Sequence, residues 1–343
     1  MQEPIAISET PPLPGLQMVQ QANAAIATVA TDFAGTADPA SLAAPFMTWA
    51  NTDTGVVSRR NAAGTAWVEI GRVFERPFYQ SDAASGLIPT GGFKNLLING
   101  KFNINQRAVS GTVVLPAGAY GHDRWKAGSG GCTYTFSTSA GVTTLTITAG
   151  TLMQVIEGNN LRSGSHVLSW TGTANGRIAA GGYAASPVTG TVTGGTNTNI
   201  EFNTGTLTLA QFEAGQNATL FENRAEGAEM DLCLRYAEIR RSQTNFTQFA
   251  IAQAISTTQA QTAFTYRRKR AAPTIVYTAN ADFAVTTSAG ASSGNIGMAF
   301  SQQGVDSASM SITASSAALV AGNATIIQGN NTTSAAISIV SEL

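Results

Sequence analysis

Residues 95–107, NLLINGKFNINQR, and residues 119–125, AYGHDRW, mark the point where the chain changes character. Beyond them the pattern is short runs of alternating apolar and hydroxyl residues: GCTYTFST, GVTTLTITAG, HVLSWTGTANGR, TNIEFNTGTLTLAQFEAG. Gly and Asn punctuate these runs about every 8–12 residues, the mark of an antiparallel sandwich or jelly roll. Within 119–125 a His-Asp pair stands directly before an Arg-Trp pair. His122 and Asp123 read either as an acid–base pair or, with Arg124 and Trp125, as a structural corner.

The wider composition supports the β reading. Of 343 residues, charged ones make up only 11%, well under the usual quarter, while 43% are hydrophobic. Thr, Ser, Asn, Gly and Ala fill the difference, which suits neutral strand faces and turns rather than long helices. A formal net charge of -1 argues against general binding to nucleic acid or to anionic membranes. No apolar run reaches the ~18 residues a membrane span needs, and MQEPIAISET lacks the basic start and apolar core of a signal peptide. Membrane insertion is therefore not expected. Cys132 and Cys233 have no metal spacing and read as buried free thiols.

Toward the N-terminus, residues 1–15 are Pro-rich and read as an extended arm. In LQMVQQANAAIATVATDF, the residues Leu16, Val19, Asn23, Ile26, Ala30 and Phe33 alternate at spacings of three and four. That is an a/d seam with one polar position, matching either a bundle of identical chains or a helix packed on its own domain. Residues 36–76 read as three strands with turns at TDTG and NAAGT, with Trp49, Val57, Trp67 and Val73 on one face. Residues 77–94 form a linker.

Residues 225–241, RAEGAEMDLCLRYAEIRR without its first residue, change the period. Met230, Cys233, Leu234 and Ala237 make one helical stripe, with Glu226, Glu229 and Asp231 early and Arg240 and Arg241 late, as a helix dipole prefers. Residues 242–343 return to strands. The expected fold is mainly β: an arm and oligomerising helix (1–35), a small β unit (36–76), a linker (77–94) and a carbohydrate-binding-like sandwich (95–224). A joining helix (225–241) and a second jelly-roll-like sandwich (242–343) complete it.

Five elements in this order resemble one known group. They are NLLINGKFNINQR, the YxxDRW-like YGHDRW, LTLAQFEAGQNATLFENR, EMDLCLRY and RAAPTIVY, spread over roughly residues 95–280. Together they resemble the tail fibres, or receptor-binding proteins, of tailed bacteriophages that carry a carbohydrate-binding-like sandwich. The segment TWANTDTGVVSRRNAAGTAW is similar to a short module near the N-terminus of phage tail and baseplate proteins. The resemblance implies a homotrimer in the virion, made in the host cytoplasm. Its N-terminus would be fixed to tail or baseplate proteins, and its C-terminal domains would face a bacterial surface glycan or lipopolysaccharide. It also implies that DRW is a corner, with the Trp packed and the Asp and Arg tying loop backbone or each other.

Catalysis finds little support in the residues. A glycan-cleaving site needs two carboxyls about 5–9.5 Å apart, and the pairs on offer are Glu201 with Glu213 and Glu222 with Glu226. No nucleophile-elbow pattern accompanies His122 or His166, and no EF-type calcium spacing appears. Neither enzyme activity nor a cofactor or metal is expected. A structural baseplate or shaft protein is the alternative to an adhesin, and a virion-associated glycan hydrolase is a third reading. For receptor contact the candidates are the aromatic residues Tyr183, Phe246, Phe249 and Tyr277, which offer flat faces to sugar rings. Arg267 and Lys269 of the basic run YRRKR would meet phosphate. Trp125 and Trp170 read as core. Oligomer contacts fall on Leu16, Val19, Asn23, Ile26 and Phe33.

Overall fold

Strands dominate the chain, as its alternating pattern requires. The computed structural model describes residues 14–30, 33–41, 43–72, 94–287, 290 and 292–343. Among these, two α-helices occur, α1 (Gly15–Ala30) and α2 (Glu226–Leu234). Neither is long and apolar enough to cross a membrane. The chain divides into two compact units, Met1–Gly91 and Gly92–Leu343. Residues 1–13 of the expected arm, residues 77–93 of the expected linker and Val73 lie outside the described residues.

In the first unit, four strands form one sheet in the order Ala34–Gly35, Thr48–Asn51, Val56–Arg60, Trp67–Arg72. The first pair is parallel and the other two are antiparallel, joined by the turns read from TDTG and NAAGT. Trp49 and Trp67 meet at 5.5 Å between ring centroids, and the Arg60 guanidinium lies 4.9 Å over Trp67. Val57 does not join them. It pairs with Ala50 while its neighbour Ser58 pairs with Trp49, so strand alternation turns Val57 to the opposite face.

On α1, Leu16, Val19 and Ile26 stand 70%, 52% and 66% exposed, and Asn23 is also exposed. The helix buries Ala25 instead. Phe33 departs from the expected seam. The helix ends at Ala30, Phe33 takes a left-handed backbone (φ 53°), and its ring is buried. Once helical geometry stops, the three-and-four spacing no longer carries it onto the same stripe.

The second unit holds two β bodies. In the first, the long strand Val142–Ile156 is the hub. Lys126–Ser139 runs along one side of it. On the other side it pairs with Gly205–Ala214 through its first half and with Thr198–Phe202 through its second. Splitting its partners this way makes the sheet curl into a half-barrel. The interior is an aromatic chain: Phe102 to Trp125 at 4.9 Å, Trp125 to Phe202 at 5.9 Å, and Phe202 to Trp170 at 5.1 Å. Gly100 closes the wall, because a Cβ there would lie 2.2 Å from the Ala210 carbonyl oxygen.

The second body packs two sheets face to face. A three-stranded sheet has Ala336–Val340 between Ala237–Arg241 and Thr274–Tyr277. It covers a seven-stranded antiparallel sheet through Ile275, Ile337 and Ile339, set against Phe264, Phe283, Met310, Ile312 and Ile327. The helix expected over 225–241 is therefore shorter than its pattern. It stops at Leu234, and Ala237–Arg241 becomes a strand because Ala336–Val340 offers it a complete ladder. Arg240 and Arg241, expected at a helix C-terminus, instead leave this strand to bond Glu238 and the Gln106 and Arg107 carbonyls.

The two bodies are joined by a buried junction. Ile98, Ile104, Cys233 and Tyr236 form its apolar part. At its centre the Glu342 carboxylate pairs with Arg124 and, at 3.2 Å, with Arg107. Arg124 also lies 3.5 Å over the Tyr236 ring and donates to the Val155 carbonyl at 2.8 Å. Removing one partner of a buried pair leaves the other charged groups uncompensated, at a cost of about 3–5 kcal/mol. Glu342→Ala should lower the stability of the second unit by about that amount in urea unfolding. An unchanged midpoint would show that the junction contributes nothing.

Candidate functional site

The HDRW stretch resolves as a corner. The Trp125 N–H donates to the His122 carbonyl at 2.9 Å, closing a tight turn in which Arg124 has φ 71°. This turn, rather than strand alternation, separates the four side chains. Asp123 accepts from the Gln106 backbone N–H (2.6 Å) and from Gln106 Nε2 (2.7 Å). Trp125 Nε1 donates to the Asn99 carbonyl at 3.0 Å, and Asn99 Nδ2 bonds the Ile104 and Asp123 carbonyls. Asp123 and Arg124 tie other parts of the chain, not each other. His122 and Asp123 do not converge on a common point.

His122 faces the rings of Tyr134 and Phe136. Its backbone N–H donates to the Tyr134 hydroxyl, which also lies within hydrogen-bond distance of Nδ1, at 2.9 Å. Burial pushes the His122 pKa down from 6.5 to about 4. The Tyr134 hydroxyl is pushed up to about 12, again by burial. Both cysteines are free and buried, and burial raises the Cys132 thiol to about 12.

The carboxylates weighed as catalytic pairs are held by separate neighbours. Glu201 accepts from Thr151 Oγ1 at 2.5 Å and from Arg177 Nε at 2.8 Å. Burial pushes its carboxyl up, but the hydrogen bonds from Thr151 and Arg177 outweigh that and hold it below the usual range. Glu213 accepts from the Thr219 backbone N–H (2.8 Å) and from Gln211 Nε2 (2.8 Å), with Lys94 at 4.0 Å. Neither is among the other's bonded partners. Glu222 and Glu226 do come together, with Glu229, in a cleft of about 230 Å³ beside Asn95, Asn99 and Phe221. There the Glu222 carboxylate receives the Asn95 N–H at 2.8 Å and Arg224 at 3.1 Å. Arg224 and the Asn99 N–H both reach Glu229. These bonds tie the first and last segments of the half-barrel to the start of α2.

The expected receptor contacts separate sharply. Tyr183 is half-buried on the outside of the half-barrel, where Arg177 stacks 4.5 Å from its ring centroid and joins it to Glu201 and Thr151. The sequence points to Tyr183 but not to Arg177. The two meet because the Gly176–Ala184 bridge sets residues 177 and 183 opposite each other, and Arg177 is also the cross-strand partner of Glu201. Phe246 is 56% exposed. Phe249 is half-buried against Phe283, at 5.2 Å.

Tyr277 is half-buried. Its hydroxyl donates to Asn280 Oδ1 (2.9 Å) and accepts the Met298 N–H (3.0 Å). Lys269, by contrast, is removed from contact. It is fully buried, donating to the Leu234 carbonyl (2.7 Å) and to Glu238 (2.9 Å). Burial lowers its pKa, partly offset by Glu238. Arg267 remains exposed and pairs with Asp231 at 2.8 Å. The basic run lies beyond the end of its strand at Thr265, so loop geometry, not alternation, divides it. Trp125 and Trp170 are core.

Among the described residues, no group of three or more His, Cys, Asp or Glu side chains is placed to hold a metal ion. No protein-family model, no curated protein and no solved structure matches this chain.

The buried histidine makes an acid prediction with a definite sign. A folded pKa below the unfolded one means that the unfolded chain binds the proton first. Stability from His122 is therefore full above pH ~6.5 and falls as pH drops toward ~4. At pH 5 the loss is about 2 kcal/mol. Asp123 acts oppositely, because burial raises its pKa and the folded state takes its proton early. Urea unfolding of wild type and His122→Asn at pH 7 and pH 5 isolates the histidine, and the variant should lose less stability between the two.

Proposed function

We propose that this chain is a tail-fibre protein of a tailed bacteriophage. Its N-terminal segment attaches identical copies to tail or baseplate proteins, and its C-terminal β bodies bind a receptor on the bacterial surface. The observation that carries this reading is the stripe on α1. Leu16, Val19 and Ile26 expose large apolar side chains at helical spacing, with Asn23 between them. Such surface is unfavourable in water, at roughly 25 cal/mol per Å², until something covers it. Copies of the same helix cover it in a parallel bundle, and a polar residue at one seam position sets the register. Three copies are the number the tail-fibre resemblance implies.

Two further features support the reading. The five resembling elements supply the bonds that join the half-barrel, α2 and the last strand into one unit, which suits a part that must transmit force. The carboxylates Glu201, Glu213 and Glu222 are committed to hydrogen bonds within the fold. The proposal therefore assigns attachment without bond cleavage, and several weak sites per virion give tight adhesion.

The assembly half is tested with Leu16→Glu combined with Ile26→Glu. Light scattering after gel filtration should show a homotrimer for wild type and a monomer for the variant, with the same β circular dichroism. A chain lacking residues 1–35 should fold and fail to enter virions, and normal incorporation would refute the attachment role. Binding of the purified chain to candidate host cells, with sugar release followed in the same tubes, tests the receptor half. Binding without release is expected. Release would make the protein a hydrolase, and binding to no host would make it a bridge to a separate adhesin.

A further inference from the structure

The seven-stranded sheet of the second body has an unusual exterior. Its strands read QFAIAQA, QAQTAFT, FAVTT, SSG, GMAFS, SASMSIT and ATIIQG, and no strand of the seven carries a charged residue. One face is the core. The register defines the other: Gln253 pairs with Gln261, Gln261 with Ser311, and Ser311 with Ala299, while Ala263 pairs with Ser309 and Ser309 with Ser301. An outward sheet face in water ordinarily alternates apolar-in with polar-out and guards its surface with charges such as Lys. Here the outward positions are amides, hydroxyls, small residues and an Ile251 that is 68% exposed.

A hollow of about 430 Å³ opens on this face, lined by Gln253, Ile255, Gln261, Gln302, Ser307 and Ser309 among others. Gln261 Nε2 donates to Ser309 Oγ at 2.9 Å, which orients the amide. That bond uses one of the two N–H donors of Gln261, so its second donor and its carbonyl oxygen remain for a ligand. Ile255, 54% exposed, adds apolar surface at the rim.

We propose that this hollow is the receptor contact and that it takes an uncharged, hydroxyl-rich glycan. The inference rests on the tail-fibre reading and deepens it. A sugar hydroxyl both donates and accepts, and a Gln amide offers both in fixed geometry. The C–H faces of a pyranose match Ile255. Charge decides the class of glycan. A uronate or phosphate seated here would lose hydration with no Arg or Lys among the lining residues to replace it, whereas a neutral sugar loses none of that. Three of the four bases of the YRRKR run are committed elsewhere, Arg267, Lys269 and Arg270 being bonded to Asp231, Glu238 and the Ser341 and Glu342 carbonyls, and none of the four is among the residues that line the hollow. The Tyr183 cluster is the weaker candidate, because its Glu201 already has its hydrogen bonds from Thr151 and Arg177.

The test uses the full chain on a printed array of neutral hexose and N-acetylhexosamine oligosaccharides beside uronate-, sialate- and phosphate-bearing ones. In parallel, the labelled chain is bound to candidate host cells. Binding should be confined to neutral probes and change by less than about twofold between about 50 mM and about 500 mM NaCl. Gln261→Glu and Ser309→Glu should each weaken array and cell binding at least about tenfold, with thermal midpoint and oligomeric mass unchanged, while Tyr183→Ala should bind like wild type. Binding confined to anionic probes, or to none, overturns the glycan class. If wild type binds cells and both Glu variants bind equally well, the hollow is not the contact, although the tail-fibre reading stands. Failure of wild type to bind any host removes that reading and this one together. If the Glu variants change the oligomeric mass, the face is an interface between copies and the inference falls.

Discussion

The second unit depends on the burial of the Glu342 carboxylate between Arg107 and Arg124. One carboxylate from the last described strand's extension pairs with two guanidinium groups of the half-barrel; Arg107 also faces Asp123 at 3.9 Å, and Arg124 completes its surroundings with the Tyr236 ring and the Val155 carbonyl. Around it, Tyr120 and Lys126 bond the Leu343 carbonyl, and Arg270 bonds the Ser341 and Glu342 carbonyls. A buried charge is tolerable only when such partners are all present. The two β bodies are consequently not independent beads on a string, since each completes the other's electrostatics.

That junction accounts for how a charge-poor chain places the charges it has. Asp123, Glu157, Glu222, Glu229, Glu238 and Glu342 all pair with arginine or lysine where segments of the second unit meet. The seven-stranded sheet itself carries no charged residue in its strands. Specific pairing is concentrated where register and orientation must be unique, while hydroxyls and amides cover the surfaces in between. A neutral exposed face carries no long-range attraction or repulsion, so any contact made there depends on its geometry.

Much of this was legible before any coordinates. Alternation and turn residues announce the β class, the N-terminal pattern announces α1, and the packing of Trp125 and Trp170 follows from their neighbours. The corner at HDRW was readable as architecture, although its separating device is a turn with Arg124 in a left-handed conformation. Other expectations failed because the deciding partner is brought up by folding. Lys269 looks like a surface contact by its residue type, and the Leu234 carbonyl and Glu238 hold it buried. The helix pattern over 225–241 overran its true end because the strand that claims Ala237–Arg241 lies about 100 residues away in the chain.

By itself, the sequence determined what depends on near neighbours: strand alternation, turn positions, the presence of two helices and the scarcity of charge. Those features follow from backbone periodicity and side-chain chemistry within a few residues. Only the tertiary structure decided which polar groups are spent and which remain free. It placed Glu342 between two arginines, joined Arg177 to Glu201 through a cross-strand register, and aligned Gln253, Gln261 and Ser309 on one uncharged face. The last two depend on long-range strand register, and a shift of one residue would turn Arg177, Glu201, Gln253, Gln261 and Ser309 to the other side of their sheets.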